Sequence, residues 1–363
     1  MGAPVSTNAA IADERLRRQR LTAAGFRKPE DVVRWFGAVQ AQEYEPAKWA
    51  LALRMREGVV AADIERAFDE GRILRTHVMR PTWHFVTASD IRWLLELTAP
   101  GVHRRMAPYN RQLELDTRTL TRALRVIERA LRDQRFLTRA ELGEQLQRAA
   151  LPATSVRLAH IAMHAELERV ICSGPRQGKQ FTYALLAERA PEALRLSRDE
   201  ALATLGTRFF TSHGPATSRD FAWWSGLAAA DTKRSLDIIK ARRLEVSGRT
   251  YWTTGPSPRG KPGESFVHLL PIYDEYLVAY RDRVAVPHGP TAIAPGPRFV
   301  TFDNSLVIGG QVAGTWRRVP GSHGVHVSVK AHRRLTPRER GAISAALQRY
   351  QAFTGTPVDF SVG

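Results

Sequence analysis

The sequence predicts an α+β fold, mainly helical, in which three similar helical units precede a small strand-rich domain. Three observations predict it. Hydrophobic residues make up 43% and charged residues 25% of 363 residues, an ordinary globular composition in a chain long enough for two to four domains. A run of helices closed by a two-strand hairpin occurs three times along the chain. Beyond a turn-rich stretch at 255–263, apolar residues change from helical to alternating spacing. Helices followed by a hairpin are the layout of a winged helix. The expected organisation is therefore three tandem winged-helix (helix-turn-helix) units at 8–100, 101–190 and 191–258, then a β-rich, barrel-like domain at 259–363.

In the first unit, Leu16 and Leu21 lie in an Arg-rich helix. Pro29 opens a second helix at its first turn, where a missing N–H costs little. Val32, Val33, Phe36 and Val39 follow at helical spacing, which puts Gln40 and Gln42 at the end of that helix. Stretches 47–55 and 61–70 form two more helices. The period then becomes two. Leu74, Thr76 and Val78, then Thr82, His84 and Val86, mark two strands hinged at Arg80-Pro81. The second unit opens with a helix at 119–134, whose Leu120, Leu124, Ile127 and Leu131 share one face. Thr138 and Glu141 have capping-box spacing, a helix follows at 154–168, and strands 170–172 and 181–184 flank a basic tip at 174–180. The third has helices at 198–209, 217–225 and 230–242 and a hairpin 244–246/250–252 around Ser247-Gly248-Arg249. Strands are then expected at 267–270, 299–302, 305–308, 310–317 and 325–329, with a closing helix at 336–353 started by Thr336-Pro337.

Charge is the outlier. Lys+Arg number 54 against 36 acids, a net +18, and only seven of the 54 are lysines. Such an excess calls for a polyanionic partner, most often nucleic acid. A base-composition bias in the genome would explain Arg over Lys, but not the shortage of acids. Cys172 is the sole cysteine, which excludes an intrachain disulfide and a cysteine-built zinc or iron–sulfur site. No apolar run approaches the roughly 18 residues of a spanning helix. The N-terminus lacks the charged-then-apolar order of a signal peptide, and its match to a myristoylation pattern (Gly2, Ser6) stands alone. The expectation is a cytoplasmic monomer on nucleoid-associated DNA, with no cofactor, no metal and no membrane partner.

Several catalytic signatures fail on inspection. Gly255 to Lys261 spells GxxxxGK, but Pro262 replaces the hydroxyl residue and the prolines prevent the helix a phosphate loop needs. There is no GxSxG elbow. His160 and His164 have the spacing of a shared metal face, yet no carboxylate or cysteine in the sequence pattern completes that site. Asp274-Glu275 offers either a general base or a structural acid paired with Arg281 or Arg283. Gln40-Ala41-Gln42-Glu43 is the stretch that resists a bland reading. Glutamine carries both donor and acceptor, so two of them flanking a small residue can hold a water or read a base edge.

Taken with Leu74 through His84 (LRTHVMRPTWH), with YDEYLVAYRDR at 273–283 and with Gly314-Thr315-Trp316-Arg317, this stretch resembles the AlkZ/YcaQ-like winged-helix DNA glycosylases. The resemblance covers nearly the whole chain. It implies tandem winged helices with a small β-barrel, and removal of alkylated bases, in some members with unhooking of interstrand crosslinks. The family's catalytic element is a glutamine, an apolar residue, then Gln or Asp; this assigns catalysis to Gln40 and Gln42. The run Arg80-Pro81-Thr82 departs from the commoner Arg-Gly-Thr. A glutamine rather than an aspartate at 42 favours activated, cationic lesions.

On this reading the chain is a hydrolase of N-glycosyl bonds acting on N7-alkylpurine-type lesions, crosslinked ones among them, in duplex DNA. A base alkylated at N7 leaves as a neutral molecule, so the enzyme mainly positions a water and faces an oxocarbenium-like sugar with carbonyl oxygens. Glu43 is a secondary catalytic candidate, since on a helix end it points about 100° from Gln42. Duplex contacts are assigned to Arg75, Arg80, Arg176, Lys179, Lys233, Arg234 and Arg249, with Arg15, Arg17, Arg18, Arg20, Arg104 and Arg105 as further candidates. The rival is a non-catalytic winged-helix DNA-binding regulator, which shares everything but the glutamine pair. An RNA-binding role is disfavoured for lack of a stacking platform.

Overall fold

Local signals start and stop the first helices. In α1 (Asn8–Arg18) the Thr7 hydroxyl accepts from Ala10 N at 3.1 Å. Helix α2 (Pro29–Phe36) begins at its proline, with Glu30 and Asp31 in the first turn, where the dipole favours acids. Gly37 ends it at φ +90°, a conformation that strains any other residue. The chain leaves as a two-residue strand, β1 (Val39–Gln40). The glutamine motif thus lies on a strand and the turn after it, not at a helix end as expected. Helices α3 (Tyr44–Ala52) and α4 (Ala61–Asp69) follow, then the hairpin β2 (Ile73–His77) and β3 (Trp83–Thr87). The sheet order is β1-β3-β2, with Gln40 opposite His84 and His84 opposite Thr76. The computed structural model describes residues 7–22, 25–258, 266–286, 303–321 and 324–363.

Helix α5 (Ile91–Gln112) contains Pro100 and Pro108 and runs straight through the boundary expected at 100/101, so a helix rather than a linker joins the first two units. The second unit is α6 (Thr117–Leu131), β4 (Leu137–Thr138), α7 (Arg139–Arg148), α8 (Ser155–Leu167), β5 (Ile171–Ser173) and β6 (Thr182–Leu185), with a short α9 (Leu186–Arg189). Its sheet order, β4-β6-β5, repeats that of the first. The third unit is α10 (Arg198–Ser212), α11 (Ser218–Ser225), α12 (Ala229–Ile239), β7 (Arg242–Val246) and β8 (Arg249–Thr253), with the first strand reduced to a bridge between Ala216 and Trp252. Helix, short strand, two helices, hairpin is therefore the recurring order.

The C-terminal part holds β9 (Val267–Leu270), α13 (Glu275–Val278), β10 (Ser305–Ile308), β11 (Gln311–Gly321), β12 (Gly324–Ala331), α14 (Pro337–Thr354) and β13 (Val358–Val362). The strands form one open sheet, β13-β12-β11-β10-β9, so among the described residues the expected barrel does not close. Strand β13 pairs parallel to β12 after α14 and was not foreseen. The strand expected at 299–302 lies outside the described residues.

Three apolar cores hold these parts. One runs from α1–α4 directly into the C-terminal sheet and α14. Trp49 of α3 marks the join: its Nε1 donates to Leu269 O at 2.7 Å, and its ring meets Tyr350 and Phe353 at 5.1 and 5.2 Å. A second core packs the first hairpin and α5 against α10–α12, and a third is internal to the second unit. The first unit is thus held from two sides, by the sheet and by the third unit. That is what brings Glu275 and Trp224 beneath Gln40.

Candidate active site

Both glutamine carbonyls are already occupied. Gln40 Oε1 accepts from Arg80 Nη2 at 2.9 Å, and Gln42 Oε1 accepts from Trp83 N at 3.2 Å. Those partners are donors only, which fixes the amide orientation and turns each Nε2 away from them. Neither Nε2 has a hydrogen bond among the described residues. Gln40 itself is 7% exposed and Gln42 half-buried. Glu43 is exposed, with extended φ −103° and ψ 107° as the residue before α3, so the helical offset that separated it from Gln42 does not apply.

Arg75 and Arg80, assigned to phosphates from the sequence, instead hold the motif. Arg75 donates from Nε to Ala41 O at 2.9 Å and from Nη2 to Gln42 O at 3.1 Å, and lies over the rings of Trp83 and Phe181 at 4.3 and 4.7 Å. Burial holds both guanidiniums down to about 10. Arg80 sits in a tight turn in which Met79 takes φ +64°. That turn lies so close to the end of α11 that a Cβ on Gly226 would meet Met79 O at 2.0 Å. Only a glycine fits there. His84 Nδ1 faces Thr82 O at 2.9 Å and so carries the ring proton, leaving Nε2 to accept from Arg80 Nη2 at 3.4 Å. Burial, then the Arg80 charge, pushes His84 down to about 3, so the ring is neutral.

The acids at 274 and 275 are engaged by residues distant in the sequence. Asp274 takes a bidentate pair from Arg54 at 2.7 and 2.8 Å. Glu275 is 1% exposed and accepts from Gln40 N at 2.7 Å, Trp224 Nε1 at 2.9 Å and His213 Nε2 at 3.3 Å. Burial alone would raise this carboxyl. The bond and charge at His213, the Gln40 N–H and the charge of Arg80 outweigh it and hold the carboxyl below its usual range. Sequence reasoning found Glu275 only as an acid between aromatics, because its partners lie up to 235 positions away.

Other assigned cations divide by exposure. Lys179 at the second hairpin tip and Lys233 on α12 are exposed. Arg176 folds over Tyr44 and Phe181 at 5.1 and 5.2 Å, and its side chain is 16% exposed. Arg234 pairs with Asp199 and Arg249 with Asp282, both on the surface. Arg15 and Arg18 are buried against the third unit, on Pro215 O at 2.9 Å and Thr254 O at 2.8 Å, and so offer nothing to a phosphate. His160 bonds Asn110 at 2.9 Å rather than sharing a site with His164. A carboxylate does reach His164 after all: Glu168, one turn on, lies with His103 of α5 within 4.8 Å of it. His103 Nε2 is engaged by Glu168 at 3.0 Å, a polar contact between α5 and the end of α8.

A sequence model of AlkZ-like DNA glycosylases matches residues 33–353. Among solved structures, the chain is similar to the Streptomyces sahachiroi DNA glycosylase AlkZ, with a TM-score of 0.80 at 20% identity over 99% of this chain and 100% of that one. No curated protein matches it.

Proposed function

The chain belongs to the AlkZ-like DNA glycosylase family, and from that premise we propose that it releases N7-alkylated purines from duplex DNA, with Gln40 and Gln42 positioning the attacking water. Glycosylase chemistry places it in DNA repair. The observation that carries the proposal is the pair of carboxamides on one strand and the following turn, each pinned through its oxygen with its Nε2 unbonded among the described residues.

The C1′–N9 bond of an N7-alkylpurine breaks with its electron pair passing into the ring, which cancels the ring's positive charge. The base departs neutral and needs no acid. Water attacks C1′, and its proton is lost to solvent. What the protein supplies is position. Each glutamine keeps one carbonyl lone pair and two N–H donors for a water or for the substrate, and the carbonyls, one of them polarised by Arg80, face developing positive charge. The recurring three-helix-and-hairpin units read as tandem winged helices at 8–100, 101–190 and 191–258. Lys179 and Lys233 then stand where hairpin tip and third helix meet phosphates.

The test is release of base from N7-alkylguanine duplex, read as strand breaks after hot alkali, across N7-, N3- and crosslink-alkylated substrates. Protein-dependent breaks at the lesion support the proposal. Binding without breaks would favour the non-catalytic regulator, which the family does not.

A further inference from the structure

We propose that Glu275 is a positioning residue for the reaction, holding Gln40 from beneath through its main-chain N–H; this rests on the glutamine reading above. The main-chain hold is direct, through the 2.7 Å bond from Gln40 N. The side chain is held separately by Arg80, whose Nη2 bonds Gln40 Oε1 at 2.9 Å and whose charge is favoured by that of Glu275.

Three features argue that this is more than packing. Burying a carboxylate costs several kcal/mol, and well-packed apolar residues generally serve stability as well or better. Here the carboxylate is 1% exposed and its hydrogen bonds come from Gln40 N, Trp224 Nε1 and His213 Nε2, none of them a lysine or arginine. Arg80 in turn leaves its Nε buried without a partner among the described residues, so its guanidinium is aimed at Gln40 rather than placed to satisfy itself. Finally, the donors come from separate parts of the fold: Gln40 from the first unit, His213 and Trp224 from the third, and Glu275 itself from the segment after β9. The strand bearing the motif is two residues long and could not hold its angle alone. Glu275 closes the three parts around it. Sealed under the strand, the carboxylate does not meet substrate and is not a general base.

The experiment compares Glu275→Gln with the unaltered chain in single-turnover base release at saturating protein, alongside dissociation constants for lesion DNA and thermal melting. Glutamine keeps the shape and one acceptor but removes the charge. The expected result is a rate constant lower by about 10 to 10²-fold, the effect of a misplaced reacting geometry, with the dissociation constant within about twofold. In a Gln40→Ala background the same change should cost nothing further, since it acts through Gln40. An unaltered rate in Glu275→Gln, weaker binding with an unaltered saturated rate, or an equal added loss in the Gln40→Ala background would each overturn the inference. If Glu275→Gln does not fold, Glu275→Asp tests the same contact, because aspartate keeps the charge but is one methylene too short to reach Gln40 N in the same place; it should show the same split, and a normal rate there overturns the inference. Full activity in Gln40→Ala instead indicts the glutamine reading.

Discussion

At the scale of single residues, the site is decided by which atoms of two carboxamides are already in use. Gln40→Ala removes one positioning amide and leaves Arg80 Nη2 without its closest acceptor, so it should slow base release by about 10²-fold and lower stability by about 1–2 kcal/mol. Gln42→Ala, at a half-buried position with one long bond to Trp83 N, should match it in rate and cost about 0.5–1 kcal/mol in stability. Single-turnover kinetics and chemical denaturation separate the two effects. His84 sets a pH dependence. Its folded pKa of about 3 lies below the 6.5 of the free ring, so below pH 6.5 the unfolded chain takes up a proton that the fold refuses. Stability should fall as pH drops from 6.5 toward 3, by up to about 1.4 kcal/mol per pH unit from this one group. His84→Asn should flatten that slope in melting curves; an unchanged slope would contradict the assignment. Gln40 and Gln42 stood out in the sequence as candidates because two amides around an alanine are an unusual pattern. Arg54–Asp274 and Gln40–Glu275 did not, since local reading pairs an acid with a nearby cation and these partners are 220 and 235 positions apart.

Among elements, the legible ones were those with start signals of their own. Capping boxes at Thr138, Ser197, Thr217 and Thr336 stand at the beginnings of α7, α10, α11 and α14. Strands β1 and β4 were invisible because two residues cannot display an alternation; β13 was overlooked although Gly355 and Pro357 mark the turn before it and Val358, Phe360 and Val362 alternate. Losing β1 from the reading is what misplaced the motif on a helix. It also hid the role of the first hairpin, whose arginines look like phosphate ligands until β1 is laid beside β3. Arg75→Ala tests that role. It removes two hydrogen bonds to the motif's carbonyls and the contacts with Trp83 and Phe181, and should destabilise by about 3 kcal/mol. Base release should fall while the salt dependence of DNA binding stays as it was. A reduced salt slope with normal stability would return Arg75 to the phosphate contacts.

For the whole molecule, the net charge of +18 overstates the basic surface, because Arg15, Arg18, Arg54, Arg75 and Arg80 are buried and bonded within the fold. The exposed remainder still predicts phosphate-driven binding. Affinity for undamaged duplex should drop by about 10²-fold between 50 and 200 mM salt, the loss given by roughly four phosphate contacts, in a titration followed by anisotropy; a flat response would contradict it. Domain boundaries drawn on sequence also treated the C-terminal part as separable, whereas the first core runs unbroken from Ile11 to Phe353. No helix among the described residues is long and apolar enough to cross a membrane. Chemistry at the glutamine pair is what separates a glycosylase from a DNA-binding regulator here. Its most direct test is single-turnover release of N7-alkylguanine from duplex DNA by the unaltered chain and by the Gln40→Ala, Gln42→Ala double variant, with DNA binding measured in parallel. Release by the first, and a loss of at least about 10²-fold in the second at comparable binding, is the expected result. A double variant that releases base as fast as the unaltered chain would contradict it.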